Sequence, residues 1–204
     1  MKQIIIATKN KGKAEEFKVF FRPYHIEALS LLDLNENVSD VEETGSTFSE
    51  NAALKSETIS ALFGCPVIAD DSGLIVEELD GEPGIYSARY AGREKNDQKN
   101  IDKLLHKLNQ IPDAQRSAKF ICVLALSVPG QPTTFFTGYC KGKIAAKQSG
   151  KNGFGYDPVF IPEGYIKTMA ELDPSEKNRI SHRSNAFARL QEWIKLNLER
   201  DHDV

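Results

Sequence analysis

The sequence predicts an α/β fold built on a single mixed, twisted sheet flanked by helices. In the first half of the chain, β-branched apolar runs alternate with stretches whose apolar residues recur at helical spacing. Such alternation is typical of parallel strands joined by helices. Later in the chain, two long apolar runs at Ala118–Val128 and Thr133–Lys141 are separated by Pro129-Gly130 and predict a hairpin. Parallel pairing early and a hairpin late make the predicted sheet mixed.

Local patterns give each element its predicted bounds. Early in the chain they predict a strand, a helix, a second strand and an acidic loop, at Gln3–Thr8, Gly12–Phe21, Tyr24–Leu29 and Asp33–Gly45. A capping-box sequence, Thr47-Phe48-Ser49-Glu50, opens a further helix to about Phe63, and Gly64 predicts its end. Later helices are predicted at Gln98–Leu108, after the N-cap Asp173, and at the C-terminus, with a buried stripe of Phe187, Leu190, Trp193 and Ile194.

Length and composition predict one domain over residues 1–204 that buries a sizeable core. Hydrophobic residues make up 40% of the chain and charged residues 27%. The formal net charge of -3 leaves no basic excess for a nucleic-acid backbone, so we expect no nucleic-acid partner. No apolar run approaches the roughly 18 residues of a membrane span, so we expect no membrane partner. The short apolar N-terminus and three cysteines without CxxC spacing favour the cytoplasm.

The most informative motif is Asp70-Asp71-Ser72-Gly73, which follows the apolar run Pro66–Ala69. Two adjacent carboxylates at the end of a buried strand need a partner, because unpaired ionised groups are costly inside a protein. A hard divalent cation such as Mg²⁺, which prefers oxygen ligands, is one such partner. The alternative is an ordinary turn, in which Asp side chains bind the local backbone. Val67–Val76 is accordingly predicted as a strand interrupted by this corner.

A second motif lies where the first strand meets the first helix and is rich in lysine. A helix N-terminus attracts phosphate, because its free N–H groups carry partial positive charge. The motif has neither a Walker nor a dinucleotide-binding glycine pattern, and its alternative is a solvated helix start. The candidate anion-binding residues are Thr8, Lys9, Asn10, Lys11, Gly12 and Lys13.

Three further motifs carry functional residue types. Glu42-Glu43-Thr44-Gly45 adds carboxylates that would complete a magnesium site, the alternative being surface acidity. In Gly153–Pro158, two aromatic residues between glycines would present ring faces to a planar ligand or simply fill the core. Lys177 and Ser181-His182-Arg183 add hydrogen-bond donors, the alternative being a charged helix start. Together these motifs are the parts that hydrolysis of a nucleoside triphosphate requires.

The chain resembles the inosine triphosphate pyrophosphatase family, which acts on non-standard purine nucleoside triphosphates, and in particular its bacterial members. The resemblance covers nearly the whole chain, and its motifs keep the order of the family. They are Thr8–Lys13 (TKNKGK), Glu42–Ala53 (EETGSTFSENAA), Ala69–Leu74 (ADDSGL), Gly84–Tyr90 (GIYSARY), Gly153–Pro158 (GFGYDP) and Ser181–Arg183 (SHR).

This resemblance implies a cytoplasmic homodimer that uses Mg²⁺ to hydrolyse ITP, dITP and XTP to the monophosphate and pyrophosphate. It implies one twisted sheet with two lobes around a central cleft. Thr8–Lys13 would hold the triphosphate, Glu42 and Asp71 would bind Mg²⁺, Asp71 would accept a proton, and Ser72 would touch the substrate. The implied contacts to base and sugar come from Phe154, Gly155, Tyr156, Asp157, Lys177, His182 and Arg183.

The chemistry of pyrophosphate release assigns further roles. Water must attack the α-phosphorus, and Lys13 together with Mg²⁺ would neutralise the leaving pyrophosphate. We expect one of Asp70 and Asp71 to lie nearer the metal and the other nearer the water, with Asp71 as the base. Glu43 stays open as a substitute for Glu42. The alternatives are a pyrophosphatase for other nucleotides and a non-catalytic nucleotide sensor.

Overall fold

The computed structural model describes residues 1–34, 38–112 and 115–198, and it confirms the α/β fold on a mixed sheet. Within these residues the strands are β1 Gln3–Ile6, β2 Glu27–Ser30, β3 Val67–Val76, β4 Ser117–Ser127, β5 Thr134–Ile144 and β6 Phe160–Pro162. The α-helices are α1 Lys11–Phe21, α2 Phe48–Phe63, α3 Asp97–Asn109, α4 Pro174–Ile180 and α5 His182–Leu198. Residues 35–37 of the predicted acidic loop lie outside the described residues.

The six strands form one sheet in the order β2-β1-β3-β4-β5-β6. β1 is parallel to both β2 and β3, with Ile5 opposite Leu29 and Val67. β5 and β6 are antiparallel, with Lys143 opposite Ile161. β4 and β5 are neighbours joined by a short turn in which Gln131 donates to the Val128 carbonyl. So short a connection cannot make a parallel crossover, so the predicted hairpin is confirmed.

The chain divides into two compact units, and each has its own core. Unit 1 contains Met1–Asp71, Val123–Thr137 and the described chain from Phe187 onward. Unit 2 contains Ser72–Cys122 and Gly138–Ala186. The unit 1 core includes Ile5, Val38, Ile59 and Val67. The unit 2 core includes Leu74, Ile101, Leu104, Leu108, Tyr156 and Phe160.

The backbone of Asp70–Gly73 departs most from the sequence prediction. β3 runs unbroken through these four residues, and Gly73 is not among the glycines with positive φ. The predicted corner is therefore wrong. β3 lies between β1 and β4 in the sheet, and pairing on both sides outweighs the local turn preference of Asp, Ser and Gly. Because successive strand residues point to opposite faces, the side chains of Asp70 and Asp71 diverge.

Most other element predictions are confirmed, with shifted ends. The Thr47–Glu50 capping box opens α2, and Gly64 closes it with φ 63°. β2 begins later than predicted, because Arg22–Tyr24 form a short 3-10 turn. Asp173 precedes α4 as predicted, but its side chain makes no capping hydrogen bond. Across the described ranges, every helix is too short or too polar to span a membrane.

Candidate active site

The lysine-rich motif forms the N-terminus of α1 in unit 1. Asn10 is the N-cap, and its Oδ1 accepts a hydrogen bond from the Lys13 N–H at 3.0 Å. Thr8 Oγ1 accepts from the Asn10 N–H at 3.2 Å and so fixes the approach to the helix. The first turn carries no acidic residue, and Lys9 and Lys11 are exposed. This arrangement suits an anion, because the helix dipole and the lysines attract negative charge.

Asp70 is buried and paired with a lysine of that same turn. Its side chain is 3% exposed, and Lys13 Nζ lies 2.8 Å from its Oδ2. A buried carboxylate is tolerated only with such a partner, because desolvation is otherwise too costly. The structure thus brings together two predicted site residues, Lys13 and Asp70, and gives the Asp70 carboxylate a cation from the chain itself.

Lys55, a residue that sequence reasoning missed, organises the other carboxylates of unit 1. It lies on α2 with a side chain 15% exposed, and its Nζ donates to Glu43 Oε1 at 2.8 Å and to the Asp70 carbonyl at 2.7 Å. Asp71 Oδ1 lies 3.7 Å away. Burial by itself would lower the pKa of Lys55, but Asp71, Asp70 and Glu43 attract its charge, and the pKa is raised.

The sequence did contain a signal for Lys55. The buried face of α2 includes Asn51, Ala52, Ser56 and Ile59. Lys55 is four residues after Asn51 and four before Ile59, so helical spacing places it at the same face. A lysine next to an asparagine on the buried side of a helix indicates a polar site beneath that helix.

Asp71 has the properties of a proton acceptor near neutral pH. Burial raises the pKa of its carboxyl to about 6, with Glu43 and Asp70 adding to the rise. Lys55 and a hydrogen bond from Asn51 act in the opposite direction. At pH 7 the group is therefore ionised, yet it is more basic than an exposed aspartate.

The two glutamates of the acidic loop have different environments. Glu43 is half-buried and bound to Lys55, whereas Glu42 is exposed. The loop is fixed at Gly45, whose N–H donates to Asn51 Oδ1 at 2.8 Å. A Cβ at Gly45 would lie 2.7 Å from Glu50 Cβ, so only glycine fits there.

The donor set of unit 1 fits a magnesium ion. Among the described residues, no three His, Cys, Asp or Glu side chains converge on one metal position. Mg²⁺ does not need three, because it keeps several waters and takes one or two protein carboxylates together with substrate phosphates. Asp71 and a glutamate of the neighbouring loop would supply the hard oxygen ligands that it prefers.

In unit 2 the Gly153–Asp157 loop is built around the carboxylate of Asp157. Asp157 Oδ2 accepts from the Phe154 N–H at 2.8 Å and from Lys177 Nζ at 2.6 Å. Gly153 has φ +81°, and a Cβ there would lie 2.0 Å from that oxygen. The loop therefore closes tightly around the Asp157 carboxylate.

The two aromatic residues of this loop have different roles. Phe154 is 65% exposed, and Lys177 Nζ lies 4.9 Å from its ring centroid. Tyr156 is 4% exposed, and its hydroxyl donates to the Ser87 carbonyl at 2.9 Å. The prediction of core filling therefore holds for Tyr156, whereas Phe154 presents its ring as a stacking surface would. A substrate contact from Tyr156 would have to come from its backbone.

His182 and Arg183 begin α5 and are held against the sheet. The His182 ring stacks on Phe120 with centroids 5.0 Å apart, and Arg183 is 7% exposed. A Cβ on Gly138 would lie 2.2 Å from the His182 carbonyl oxygen, so the first turn of α5 packs directly on β5. Ser72, the remaining predicted contact, is half-buried on β3. The structure thus fixes these donors on rigid elements.

Comparison with known proteins agrees with the sequence motifs. The chain is 62% identical over 194 residues to a dITP/XTP pyrophosphatase of Oceanobacillus iheyensis, covering 95% of this chain and 98% of that protein. It is 54% identical over 197 residues to a dITP/XTP pyrophosphatase of Geobacillus kaustophilus, covering 96% of each.

Solved structures agree with the fold as well. The Ham1 protein of Staphylococcus aureus matches with a TM-score of 0.88 and 49% identity, covering 95% of this chain and 98% of that one. A HAM1 protein of Coxiella burnetii matches with a TM-score of 0.90 and 40% identity, covering 96% and 100%. The Ham1 family model matches residues 4–193. The family resemblance is therefore confirmed, and the chain belongs to the Ham1 family.

Proposed function

We propose that this protein is a nucleoside triphosphate pyrophosphatase that hydrolyses ITP, dITP and XTP to the monophosphate and pyrophosphate. Its relatives at 62% and 54% identity carry the name dITP/XTP pyrophosphatase, which supports the substrate class. One structural observation supports the chemistry above all: Asp71 is a buried carboxylate with a pKa of about 6, in a cluster with Lys55 and Glu43. The role of such an enzyme is to remove deaminated purines from the nucleotide pool.

Mg²⁺ is the proposed cofactor, with Asp71 and Glu42 as its protein ligands. Glu43 is the weaker candidate, because Lys55 already neutralises its carboxylate at 2.8 Å. When bound, the cation would neutralise phosphate charge and polarise the reacting phosphorus. We propose further that the enzyme is a cytoplasmic homodimer without a nucleic-acid partner. Its net charge of -3 supports the last of these, because it leaves no basic excess for a nucleic-acid backbone.

The residues of unit 1 would bind the triphosphate and move one proton. The first turn of α1, with Lys9, Lys11 and Lys13, would hold the phosphates. A water oxygen bonds to the α-phosphorus while the bond to the bridging oxygen of the β-phosphate breaks, and pyrophosphate leaves. Asp71 accepts the proton of that water, and Asp70 keeps Lys13 in place through its 2.8 Å ion pair.

The residues of unit 2 would read the base and sugar. Phe154 would stack on the purine, while Lys177 and the loop backbone through Gly155, Tyr156 and Asp157 add polar contacts. His182 and Arg183 would donate to the 6-oxo group that hypoxanthine and xanthine share. Adenine carries a 6-amino group there and would leave those donors unpaired, a mismatch worth on the order of 10⁴-fold.

Pyrophosphate release from ITP, XTP, dTTP and dATP, measured with and without Mg²⁺, tests the proposal. We expect kcat/KM for ITP and XTP to exceed the value for dATP by about 10⁴-fold. Equal values across the panel would favour a pyrophosphatase for other nucleotides. Nucleotide binding without turnover would favour a non-catalytic sensor.

A further inference from the structure

The first turn of α3 makes a hydrogen bond to a distant loop in addition to the one that caps the helix. Asn96 caps α3, because its Oδ1 accepts from the Lys99 N–H at 2.9 Å. The next residue, Asp97, is directed elsewhere: its Oδ2 accepts from the Gly155 N–H at 2.7 Å, across 58 residues of sequence. A helix-start aspartate thus binds the backbone of the Phe154 loop within unit 2.

This contact completes a clamp around Phe154. On one side of the Phe154 Cα, the N–H of Phe154 donates to Asp157 Oδ2 at 2.8 Å. On the other side, the N–H of Gly155 donates to Asp97 Oδ2 at 2.7 Å. Carboxylates therefore hold both peptides that flank the ring-bearing carbon. Gly155 has φ +60° and no Cβ to restrict it, so hydrogen bonds fix the orientation of its peptide. The Phe154 carbonyl of that peptide accepts from the Asp157 N–H at 3.3 Å inside the loop, and the shorter bond from Gly155 N–H to Asp97 ties it to α3.

The base of the clamp is itself anchored. Asn100, one turn further along α3, is buried; its Nδ2 donates to the Ala88 carbonyl at 3.2 Å, and its Oδ1 accepts from the Ala91 N–H at 2.7 Å. Residues three apart lie on one face of a helix, so Asp97 and Asn100 act from the same side of α3. Tyr156 joins the two anchored segments through its hydrogen bond to the Ser87 carbonyl.

We propose that Asp97 is a positioning residue for base recognition: its carboxylate holds the Gly155 N–H and thereby sets the Phe154 ring for the purine. This inference rests on the proposed function for its catalytic consequence, but the clamp itself is independent of the reaction. Asp97 acts through Gly155 and Phe154, so its loss weakens substrate binding and leaves the chemistry of Asp71 unchanged.

Steady-state kinetics with ITP test the consequence. Asp97→Ala is expected to raise KM about tenfold with kcat within about twofold of the starting protein, because a charge-assisted hydrogen bond is lost. Asp97→Asn retains an acceptor oxygen and is expected to recover most of the KM. Asp102→Ala is the matched control, because Asp102 is an exposed acid on the same helix whose carboxylate accepts from Gln98 of that helix. A fall in kcat with KM unchanged would overturn the proposal.

A double-mutant cycle tests the route of action. If Asp97 works through the ring, Asp97→Ala adds no further rise in KM to Phe154→Ala. Additive effects would show that Asp97 acts elsewhere and would overturn the proposal.

Amide hydrogen exchange separates this proposal from the proposed function. We expect exchange over residues 153–157 to be faster in Asp97→Ala than in Asp97→Asn or the Asp102→Ala control. Unchanged exchange in Asp97→Ala would overturn the clamp, whatever the substrate. Faster exchange in a protein that does not hydrolyse ITP or XTP would uphold the clamp and reject the proposed function alone.

Discussion

In unit 1 the functional carboxylates face lysines, whereas in unit 2 they also bind the backbone of a loop. Asp70 is paired with Lys13, and Lys55 is paired with both Glu43 and Asp71, so three carboxylates share two lysines in this cluster. In unit 2, Asp157 is paired with Lys177 at 2.6 Å, but Asp97 and Asp157 also accept hydrogen bonds from the peptide N–H groups on either side of Phe154.

The difference indicates two kinds of work. Burial raises the pKa of Asp71, and the neighbouring charges of the cluster adjust it, which is what a reaction that moves a proton requires. Carboxylates that accept hydrogen bonds from the backbone fix the shape of a loop. They do not act on the pKa of a catalytic group, and a fixed loop shape is what substrate recognition requires. Variants of the carboxylate cluster in unit 1 should therefore change kcat and its pH and metal dependence, whereas variants of unit 2 should change KM and specificity.

The largest effect is expected at Asp71. Asp71→Asn removes the proposed proton acceptor, and kcat for ITP at saturating Mg²⁺ should fall by about 10³-fold. Asp102→Asn, an exposed substitution on α3, is the control and should leave kcat unchanged. Near-normal turnover of Asp71→Asn would end its assignment as the base.

Specificity should respond to Arg183. Arg183→Ala removes a proposed donor to the 6-oxo group, so the preference for ITP over ATP, as a ratio of kcat/KM values, should narrow by about 10²-fold. Arg189 is an exposed arginine on the same helix, and Arg189→Ala should leave the ratio as it is. Any loss of folded enzyme lowers kcat/KM for ITP and for ATP by the same factor, so the ratio does not depend on the stability of the variant. An unchanged ratio would remove Arg183 from base reading.

The two glutamates of the acidic loop form their own matched pair. Glu42→Gln removes a proposed ligand and should raise the Mg²⁺ concentration for half-maximal activity about tenfold. Glu43→Gln, which removes the partner of Lys55, should change that concentration far less. The reverse result would transfer the metal ligand to Glu43.

The pH dependence should follow the sign of the interactions at Asp71. Only ionised Asp71 accepts a proton, so kcat/KM should fall at acid pH. Burial raises the pKa of metal-free Asp71 to about 6, and bound Mg²⁺ lowers it, so the acid limb should lie below that value at saturating Mg²⁺. Lys55 lowers that pKa, so Lys55→Gln should move the acid limb to higher pH. Lys55→Arg keeps the charge and should leave the limb nearer its original place. An acid limb in Lys55→Gln that stays put or moves to lower pH would contradict this account of the cluster.

The sequence predicted elements well where one local signal decided them. The capping box and Gly64 define α2 closely, because side-chain and glycine preferences act within a few residues. It failed at Asp70–Gly73, where residues typical of turns lie inside an unbroken strand. Sheet pairing on both sides of β3 involves residues far away in sequence, so no local pattern reveals it.

The sequence predicted the motifs of the site but not the contacts between them. Lys13 and Asp70 were both singled out, but their ion pair joins residues 57 apart in sequence. Asp97 was missed because it resembles an ordinary helix residue until its distant partner is known, whereas Lys55 was missed although helical spacing places it on the buried face of α2. The divergence of Phe154 and Tyr156, one exposed and one buried, likewise depends on a contact with Ser87.

Hydrolysis of ITP in ¹⁸O-labelled water tests the central claim most directly. If water attacks the α-phosphorus as proposed, mass spectrometry finds the label in inosine monophosphate and none in pyrophosphate. Label in pyrophosphate, or release of inorganic phosphate and inosine diphosphate, would contradict the account.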